Sequence, residues 1–268
     1  MAKNLFDISS KIIVVTGSSG ILGRQYVETL LESGAKVCGL DIGSNSINEA
    51  HKKKFPNNFL FKSCNILDKK ALQDCLDEIK STLGIPNVLI NNAAIDNPPT
   101  ENSESPNFEN TSEKAWDDVT DVNLKGAFFC CQVFGGEMAK NNEGSIVNIS
   151  SIYGLLSPDQ SLYQYKRDQG IEFYKPVAYS VTKAGILNLT RYLASYWAVK
   201  GVRVNSLTLA GVRGQQDKEF LQNYEQRIPI GRMAEINEYN GAILFLSSNA
   251  SSYMTGSNLV IDGGWTAI

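Results

Sequence analysis

Histidine is nearly absent from this sequence, and His51 is the only one among 268 residues. A histidine-dependent catalytic triad or a multi-histidine metal site is therefore close to excluded. Cysteine offers no metal site either, since the five cysteines show no CxxC or metal-ligand spacing. Their apolar surroundings favour buried structural thiols, and the odd count in an unsecreted chain fits a reducing cytoplasm. We expect no bound metal and a cytoplasmic location.

Long apolar runs and a strong charge of one sign are also missing. No stretch approaches the roughly 18 residues needed to span a bilayer, and residues 1–10 lack the apolar segment of a signal peptide. The formal net charge is −3, and the 43% hydrophobic content is that of an ordinary globular protein. Neither a membrane nor a nucleic-acid partner is indicated. The length predicts a single domain over residues 1–268.

Buried-strand patterns and amphipathic helices alternate along the chain. The predicted strands are residues 11–16, 36–40, 58–62, 87–90, 145–149, 202–207 and 258–261. The predicted helices are 21–33, 68–83, one or two within 112–140, 177–199 and 236–247. Strands that are apolar on both faces and separated by helices predict an α/β fold, a doubly wound Rossmann domain with a parallel seven-stranded sheet and helices on both faces.

A glycine-rich turn, Thr16-Gly-Ser-Ser-Gly-Ile-Leu-Gly23, joins the first predicted strand to the first helix. In such a turn Gly17 permits the tight bend, Gly20 lets the backbone approach a pyrophosphate, and Gly23 permits close packing of helix on sheet. The helix N-terminus then faces the phosphate charge. An ordinary βα connection has the same glycines, but the strand–turn–helix context favours a dinucleotide site.

Asp41 ends the second predicted strand, 18 residues beyond Gly23. A carboxylate there accepts hydrogen bonds from both ribose hydroxyls of NAD and repels the additional phosphate of NADP. No basic residue stands at Ser18, Ser19 or Ile42 to neutralise that phosphate. A simple turn aspartate is the alternative, and we predict NAD as the cofactor.

Tyr179 and Lys183 lie four residues apart, on one face of the long predicted helix. A phenol with a pKa of about 10 is a poor base at neutral pH, and a neighbouring ammonium stabilises its phenolate. The pair alone is a common surface pattern. Ser151 at the end of the preceding strand and Asn123 upstream strengthen the prediction of a catalytic site.

Along nearly its whole length the chain resembles the single-domain branch of the short-chain dehydrogenase/reductase family. The matching motifs are the loop 16–23, Asn91-Asn-Ala-Ala94, Val122-Asn-Leu-Lys-Gly126, Ile146-Val-Asn-Ile-Ser-Ser151, Tyr179-x-x-x-Lys183, Arg203-Val-Asn205, and Gly256 with Asp262-Gly-Gly264. Their order and rough spacing together make the resemblance specific.

The resemblance implies a role for each matching position. Tyr179 is the expected general acid/base, Ser151 binds the substrate oxygen, Lys183 holds the nicotinamide ribose, and Asn123 anchors a proton-relay water. The expected substrate-binding residues are Ser151, Tyr153 and Tyr179. The expected cofactor-binding residues are Gly17, Ser19, Gly20, Ile21, Leu22, Gly23, Asp41, Ile42, Asn65, Ile66, Asn91, Ala93, Tyr179, Lys183 and, through its backbone, Val212.

Several positions depart from the family pattern. The glycines follow G-x-x-G-x-x-G instead of G-x-x-x-G-x-G, Asn65 replaces an aspartate, and Leu209-Ala210 replaces Pro-Gly. Ser151 and Tyr179 are separated by 28 residues, about twice the family's usual distance, so residues 155–176 are the expected insertion.

The insertion carries tyrosines and cations: Tyr163, Tyr165, Lys166, Arg167, Tyr174 and Lys175. They suit a polar substrate, anionic or sugar-like, and an oligomer contact or a solvated flap is an equal alternative. Residues 212–232 resemble the family's substrate lid. The long helix and Asp262-Gly-Gly-Trp265 resemble the surfaces that form homo-oligomers, dimers or tetramers. Similar patterns also occur among bacterial surface-sugar enzymes.

The predicted function is an NAD-dependent oxidoreductase that interconverts an alcohol and a carbonyl on a polar or sugar-like small molecule. Two alternatives stay open. One is a non-catalytic dinucleotide-binding sensor or scaffold, which has no need of the phenol–ammonium pair. The other is a sugar dehydratase or epimerase, which the glycine spacing suggests and the lack of a second substrate domain disfavours.

Overall fold

Seven strands form one sheet in the computed structural model, which describes residues 4–43, 46–100 and 103–268. The strands are β1 Ile12–Thr16, β2 Lys36–Asp41, β3 Phe59–Ser63, β4 Val88–Asn91, β5 Gly144–Ser151, β6 Val202–Leu209 and β7 Asn258–Ile261. All six pairings are parallel, in the order β3-β2-β1-β4-β5-β6-β7. The predicted parallel seven-stranded sheet is confirmed.

Helices cover both faces of this sheet. They are α1 Ile21–Glu32, α2 Ser46–Lys54, α3 Lys69–Thr82, α4 Glu113–Thr120, α5 Ala127–Cys130, α6 Gly136–Lys140, α7 Gln164–Asp168, α8 Val177–Trp197, α9 Lys218–Glu225 and α10 Asn240–Ser247. Between α4 and α6 the chain stays helical but widens into two π-helical segments, Asp121–Gly126 and Cys131–Gly135.

Two apolar cores, one on each face, follow from the alternation of side chains along the strands. In β1, Val14 packs into the core that α3 and α8 cover, whereas Ile13 and Val15 pack into the core that α1 and α10 cover. All five cysteines are buried without disulfides in the first of these cores. No helix in the described part of the chain is long and apolar enough to cross a membrane.

Most predicted elements lie within a residue or two of their observed bounds, and Asp68 caps α3 by accepting from the amides of Lys70 and Ala71. The predicted strands five and six were too short, because β5 and β6 stay paired as far as Ser151 and Leu209. The helix expected from residue 236 begins at Asn240. Three short helices, α2, α7 and α9, were not predicted; α2 buries only Asn48 and His51 and so lacks an apolar stripe.

The insertion at residues 155–176 is a packed element, which corrects the alternative of a solvated flap. Tyr163 and Phe173 are fully buried against Phe220 of α9. Phe173 also pairs with Ser105 of the loop that follows β4. The insertion therefore shares an apolar cluster with the predicted lid and pairs through its backbone with the loop after β4.

A buried ion pair fastens the same three segments. The Lys166 ammonium, whose side chain is 2% exposed, lies 3.3 Å from the Asp217 carboxylate and donates to the Thr100 carbonyl at 2.7 Å. The Tyr165 hydroxyl donates to the same carboxylate at 2.6 Å. Because Asp217 precedes α9, this pair fixes the start of α9 against the insertion.

Asp217→Asn should lower the free energy of unfolding by roughly 2 kcal/mol, because it leaves a buried ammonium without its counter-charge. Urea denaturation measures the change. The double variant Asp217→Asn/Lys166→Met removes the ammonium as well and should regain a large part of the loss. Equal stability of wild type and Asp217→Asn would contradict a structural role for the pair.

Candidate active site

Two glycines of the loop after β1 are required by the loop itself. Gly17 has a φ of +64°, and a Cβ there would lie 2.8 Å from the Cα of Ala93. A Cβ on Gly23 would lie 2.0 Å from the Gly17 carbonyl oxygen, so α1 packs on the turn only without a side chain at that position. The sequence prediction for these two glycines matches the observed geometry.

Gly20 differs from its two neighbours because the protein itself does not demand a glycine there. Its backbone is extended, with a φ of −72°, and a Cβ would meet only the Gly17 carbonyl oxygen, at 3.3 Å. The space in front of Gly20 is therefore open at the N-terminus of the twelve-residue helix α1, which has no acidic residue in its first turn. This cradle fits the pyrophosphate of a dinucleotide.

Asn92, which was not among the predicted site residues, holds the loop in place. Its side-chain amide donates to the carbonyl oxygens of Thr16 and Gly17 at 3.0 and 3.1 Å. The Thr16 hydroxyl in turn accepts from the amides of Asn92 and Ala93. The neighbouring Asn91 points into the interior and donates to Asn148 at 2.8 Å. The Asn-Asn-Ala-Ala motif thus braces the turn, and contact between Asn91 and a cofactor stays a prediction.

Asp41 lies at the carboxyl end of β2, beside the glycine loop. Its two oxygens accept from the backbone amides of Ser19 and Ile42, at 2.9 and 2.8 Å. After β3, Asn65 is exposed while Ile66 is buried and packs where Gly126 has no side chain. Ile21 is exposed and Leu22 is half-buried at the start of α1. The predicted adenosine-side residues therefore come together at one edge of the sheet.

Tyr179 and Lys183 share one face of α8 and contact each other. The Lys183 ammonium lies 5.7 Å from the centroid of the Tyr179 ring and donates to the Ile149 carbonyl of β5 at 2.9 Å. Burial lowers the pKa of Lys183 from about 10.5 to about 8, against the opposing effect of the Asp96 carboxylate. The lysine is thus a buried cation, and its charge lowers the free energy of unfolding.

Burial also dominates the acid–base chemistry of Tyr179. It raises the pKa of the phenol above its usual range, Asp96 raises it further, and the hydrogen bond with the Ser151 side chain opposes both. In this structure the tyrosine is neutral at physiological pH, although the sequence pattern indicated a phenolate stabilised by lysine. A neutral phenol is the form that can donate a proton to a substrate oxygen.

The two serines that end β5 have different tasks. The Ser150 hydroxyl donates to the Lys183 carbonyl at 2.9 Å and so packs β5 against α8. The Ser151 side chain faces Tyr179 and accepts from the Tyr153 amide at 3.2 Å. The structure thus brings Ser151, Tyr153 and Tyr179, the predicted substrate-binding set, to one place.

Asn123 lies in the first π-helical segment and is buried. Its side chain accepts from the Ile95 amide at 2.7 Å and donates to the Ile95 carbonyl at 3.0 Å, so it holds the loop that follows β4. It also lies 3.4 Å from the Thr182 hydroxyl, which donates to the Tyr179 carbonyl. Asn123 therefore positions the loop beside α8, and its predicted part in a proton relay stays a prediction.

The predicted lid continues from the end of β6. Val212 pairs with Ala234, and its carbonyl accepts from the Gln216 side chain at 2.8 Å. Where the family has Pro-Gly, the Ala210 carbonyl accepts from the Tyr239 hydroxyl at 3.1 Å. The Gly211 amide donates to the Tyr224 hydroxyl at 2.8 Å. These tyrosines replace the missing proline as the constraint on this loop.

Two charged residues that were not among the predicted site residues lie beside Tyr179. Asp96, two residues after the Asn-Asn-Ala-Ala motif, forms an ion pair with Lys175 of the insertion. The Lys175 ammonium lies 4.7 Å from the centroid of the Tyr179 ring and 5.9 Å from that of Tyr153. The position of Asp96 just beyond a strand end was the only sequence signal for it.

Comparison with known proteins gives a consistent picture. The sequence profile of the family described as enoyl-(acyl carrier protein) reductase matches residues 15–266. An NAD-dependent glycerol dehydrogenase from Listeria innocua is 30% identical over 266 residues, 97% of this chain and 96% of that protein.

Solved structures agree over the same length. A short-chain dehydrogenase from Leptospira borgpetersenii with bound NAD+ is 32% identical, with a TM-score of 0.86 over 99% of this chain and 97% of that one. A putative NAD(P)-dependent gluconate 5-dehydrogenase from Beutenbergia cavernae with bound NADP at low occupancy is 27% identical, with a TM-score of 0.83 over 99% of this chain and 100% of that one. The similar structures therefore include proteins with either dinucleotide bound.

The buried Lys183 ammonium predicts a specific pH dependence of stability. The unfolded chain holds this proton up to about pH 10.5 and the folded chain loses it near pH 8, so the lysine destabilises the fold below pH 8. Between those values the free energy of unfolding of wild type should rise relative to Lys183→Met by about 3 kcal/mol. Denaturant titrations at pH 7, 8, 9 and 10 measure the difference. A constant difference across that range would contradict the burial of a charged lysine.

Proposed function

We propose a role for each site residue in this chain, which belongs to the short-chain dehydrogenase/reductase family and is an oxidoreductase that interconverts an alcohol and a carbonyl. The observation that carries the proposal is the contact of Ser151, Tyr179 and Lys183 at the carboxyl edge of the sheet, beside the open glycine cradle. We propose as substrate a polyhydroxylated small molecule, a polyol or a sugar-like compound. The glycerol dehydrogenase among the relatives supports this choice.

The proposed cofactor is NAD, held by residues of the edge between β1 and β3. Gly20 and the N-terminus of α1 would receive the pyrophosphate, and Asp41 would accept from the ribose hydroxyls. The Asp41 carboxylate accepts from the backbone amides of Ser19 and Ile42. The loop segment 16–23 contains no cation that could neutralise a 2′-phosphate. Lys183 would bind the ribose on the nicotinamide side. When bound, the nicotinamide supplies the acceptor or donor of the hydride.

Proton transfer is carried out by this chain's own side chains. In reduction, the neutral Tyr179 phenol donates its proton to the substrate oxygen, and the Ser151 hydroxyl donates a hydrogen bond to the same atom as charge develops there. In oxidation the direction reverses, and the Lys183 ammonium, 5.7 Å from the Tyr179 ring, stabilises the phenolate.

The two other functions considered are less well supported by the structure. A sensor or scaffold would not require the buried cation that the fold keeps beside Tyr179. The dehydratase or epimerase hypothesis rested on the glycine spacing. Here the turn after β1 itself requires Gly17 and Gly23, so their spacing does not point to that class of enzyme. The strands of the described ranges all belong to one Rossmann sheet, which leaves no second substrate domain among them.

We also propose that the chain forms one domain and assembles as a homo-oligomer, a dimer or tetramer, in the cytoplasm. Exposed Val181, Tyr192 and Tyr196 lie on one side of α8, and the two tyrosine rings stack at 6.0 Å. A helix that leaves such a surface to solvent is suited to pair with a second copy. The five buried thiols suit a reducing compartment.

Tyr179→Phe should reduce the rate of carbonyl reduction by at least about 10²-fold, because no proton donor remains at the substrate oxygen. The measurement is NADH oxidation with a panel of polyhydroxylated ketones, together with NADH binding by fluorescence. Binding should stay within a few-fold of wild type. A wild type that binds NADH but turns over no carbonyl would argue against the proposed function.

Asp41→Asn should reduce the preference for NADH over NADPH by about 10-fold or more, since it removes the negative charge that repels the 2′-phosphate. The ratio of kcat/KM for the two cofactors is compared in wild type and variant. Glu28→Gln, a carboxylate on the exposed side of α1, is the matched control and should leave the ratio unchanged. A wild type that prefers NADPH would contradict the assignment of Asp41.

A further inference from the structure

We propose that Asp96 and Lys175 together bind a hydroxyl group on the carbon next to the reacting carbon of the substrate. The proposal rests on the proposed function and goes beyond it. It assigns the selection of substrate to a pair of residues outside the Ser151–Tyr179–Lys183 set, one of them supplied by the insertion. It also predicts that the substrate is neutral at that position, so that the substrate is an α-hydroxy carbonyl or a vicinal diol.

The position of the pair is the first argument. The Lys175 ammonium lies over the Tyr179 ring, 4.7 Å from its centroid, and the Tyr153 ring is 5.9 Å away. Asp96 forms an ion pair with that ammonium, and its charge raises the pKa of both Tyr179 and Lys183, so its carboxylate lies within electrostatic range of these two side chains. A group one bond from the reacting carbon therefore comes within reach of the pair when the substrate oxygen meets Tyr179 and Ser151.

The unused hydrogen-bonding capacity of the pair is the second argument. Lys175 has three N–H donors, and within the described residues two acceptors engage them, the Asp96 carboxylate and the Asn97 carbonyl at 3.4 Å. Asp96 uses one oxygen, Oδ1, for both Lys175 and the Asn97 amide. One donor and one carboxylate oxygen thus stand side by side, and a hydroxyl is the group that both accepts and donates.

Side-chain hydrogen bonds hold the backbone of Lys175 in place. The Gln160 side chain accepts from the Lys175 amide at 2.9 Å and donates to the Lys175 carbonyl at 3.1 Å, as a neighbouring strand would. Asp159, the preceding residue, pairs with Arg227 after α9. Only 5% of the Lys175 side chain is exposed, whereas 40% of the Asp96 side chain is. The cation is therefore fixed, and its carboxylate partner is exposed to solvent.

The charge balance of the insertion argues for a neutral ligand. Lys166 pairs with Asp217, and Arg227 pairs with Asp159. Arg167 donates to the carbonyls of Phe173 and Gln160 at 2.8 and 2.7 Å. Each of these cations is engaged within the fold. They are therefore not available to bind a substrate anion, which the sequence had left as one of two options. The charges of Asp96 and Lys175 also cancel each other. A carboxylate on the substrate would therefore be repelled by Asp96 as much as it is attracted by Lys175.

The test compares two ketones that differ in one group, hydroxyacetone and butanone. Wild type should prefer hydroxyacetone in kcat/KM, and Lys175→Met should lower that value by about 10- to 100-fold, the usual effect of losing a hydrogen bond to a charged group. The value for butanone should change little, because it never used the pair. Lys175→Arg, which retains a donor, should recover part of the preference through KM.

A change of charge provides a second, independent readout. Asp96→Asn leaves the Lys175 cation without a counter-charge, so the variant should gain activity toward pyruvate, in which a carboxylate replaces the CH2OH of hydroxyacetone. The pyruvate to hydroxyacetone ratio of kcat/KM should rise at least 10-fold over wild type. The double variant Asp96→Asn/Lys175→Met restores neutrality and should lose both effects.

Lys166→Met is the matched control, because it removes another buried lysine of the same insertion that contacts neither Tyr179 nor Tyr153. It should lower stability while it leaves the hydroxyacetone to butanone ratio unchanged. An unchanged ratio in Lys175→Met as well would overturn the subsite and leave the proposed function standing. Failure of wild type to reduce any of the three compounds with either dinucleotide would count against the proposed function itself.

Discussion

The parallel pairing of β1, β4, β5 and β6 is the constraint on which the site depends. Parallel strands end at the same edge, so the loops after them meet although they are far apart in sequence. Gly17 follows β1, Asp96 follows β4, Ser151 ends β5 and Val212 follows β6. The crossing of the chain from β3 back to β4 opens the edge between β1 and β4, where the glycine cradle lies.

Burial sets the chemistry at that edge, and it does so at the expense of stability. The fold surrounds Lys183 so closely that its pKa falls to about 8, yet the ammonium keeps only a backbone carbonyl, that of Ile149, within hydrogen-bond distance among the described residues. The same burial keeps Tyr179 neutral. The fold thus keeps a buried cation beside a protonated phenol, and the free-energy cost is offset by the two apolar cores on either side of the sheet.

The sequence allowed the fold and the pairing of Tyr179 with Lys183 to be predicted because local patterns encode them. Strand periodicity, the glycine turn and the Tyr179–Lys183 spacing are short-range features, and each gave an element or pair that the structure contains. Asn92 was missed since its role depends on the turn of another strand, 75 residues earlier. The ion pair between Asp96 and Lys175 joins segments 79 residues apart, and no pattern within either segment indicates the other.

The insertion shows how a common site acquires a particular pocket. It brings Lys175 against Tyr179 and ties the loop after β4 to the start of α9 through Lys166 and Asp217. Its apolar cluster continues into α9 through Phe220 and Tyr224, and Tyr224 stacks on Trp265 at 4.5 Å. The segment that carries Lys175, the loop that carries Asp96 and α9 are therefore held together as one packed unit.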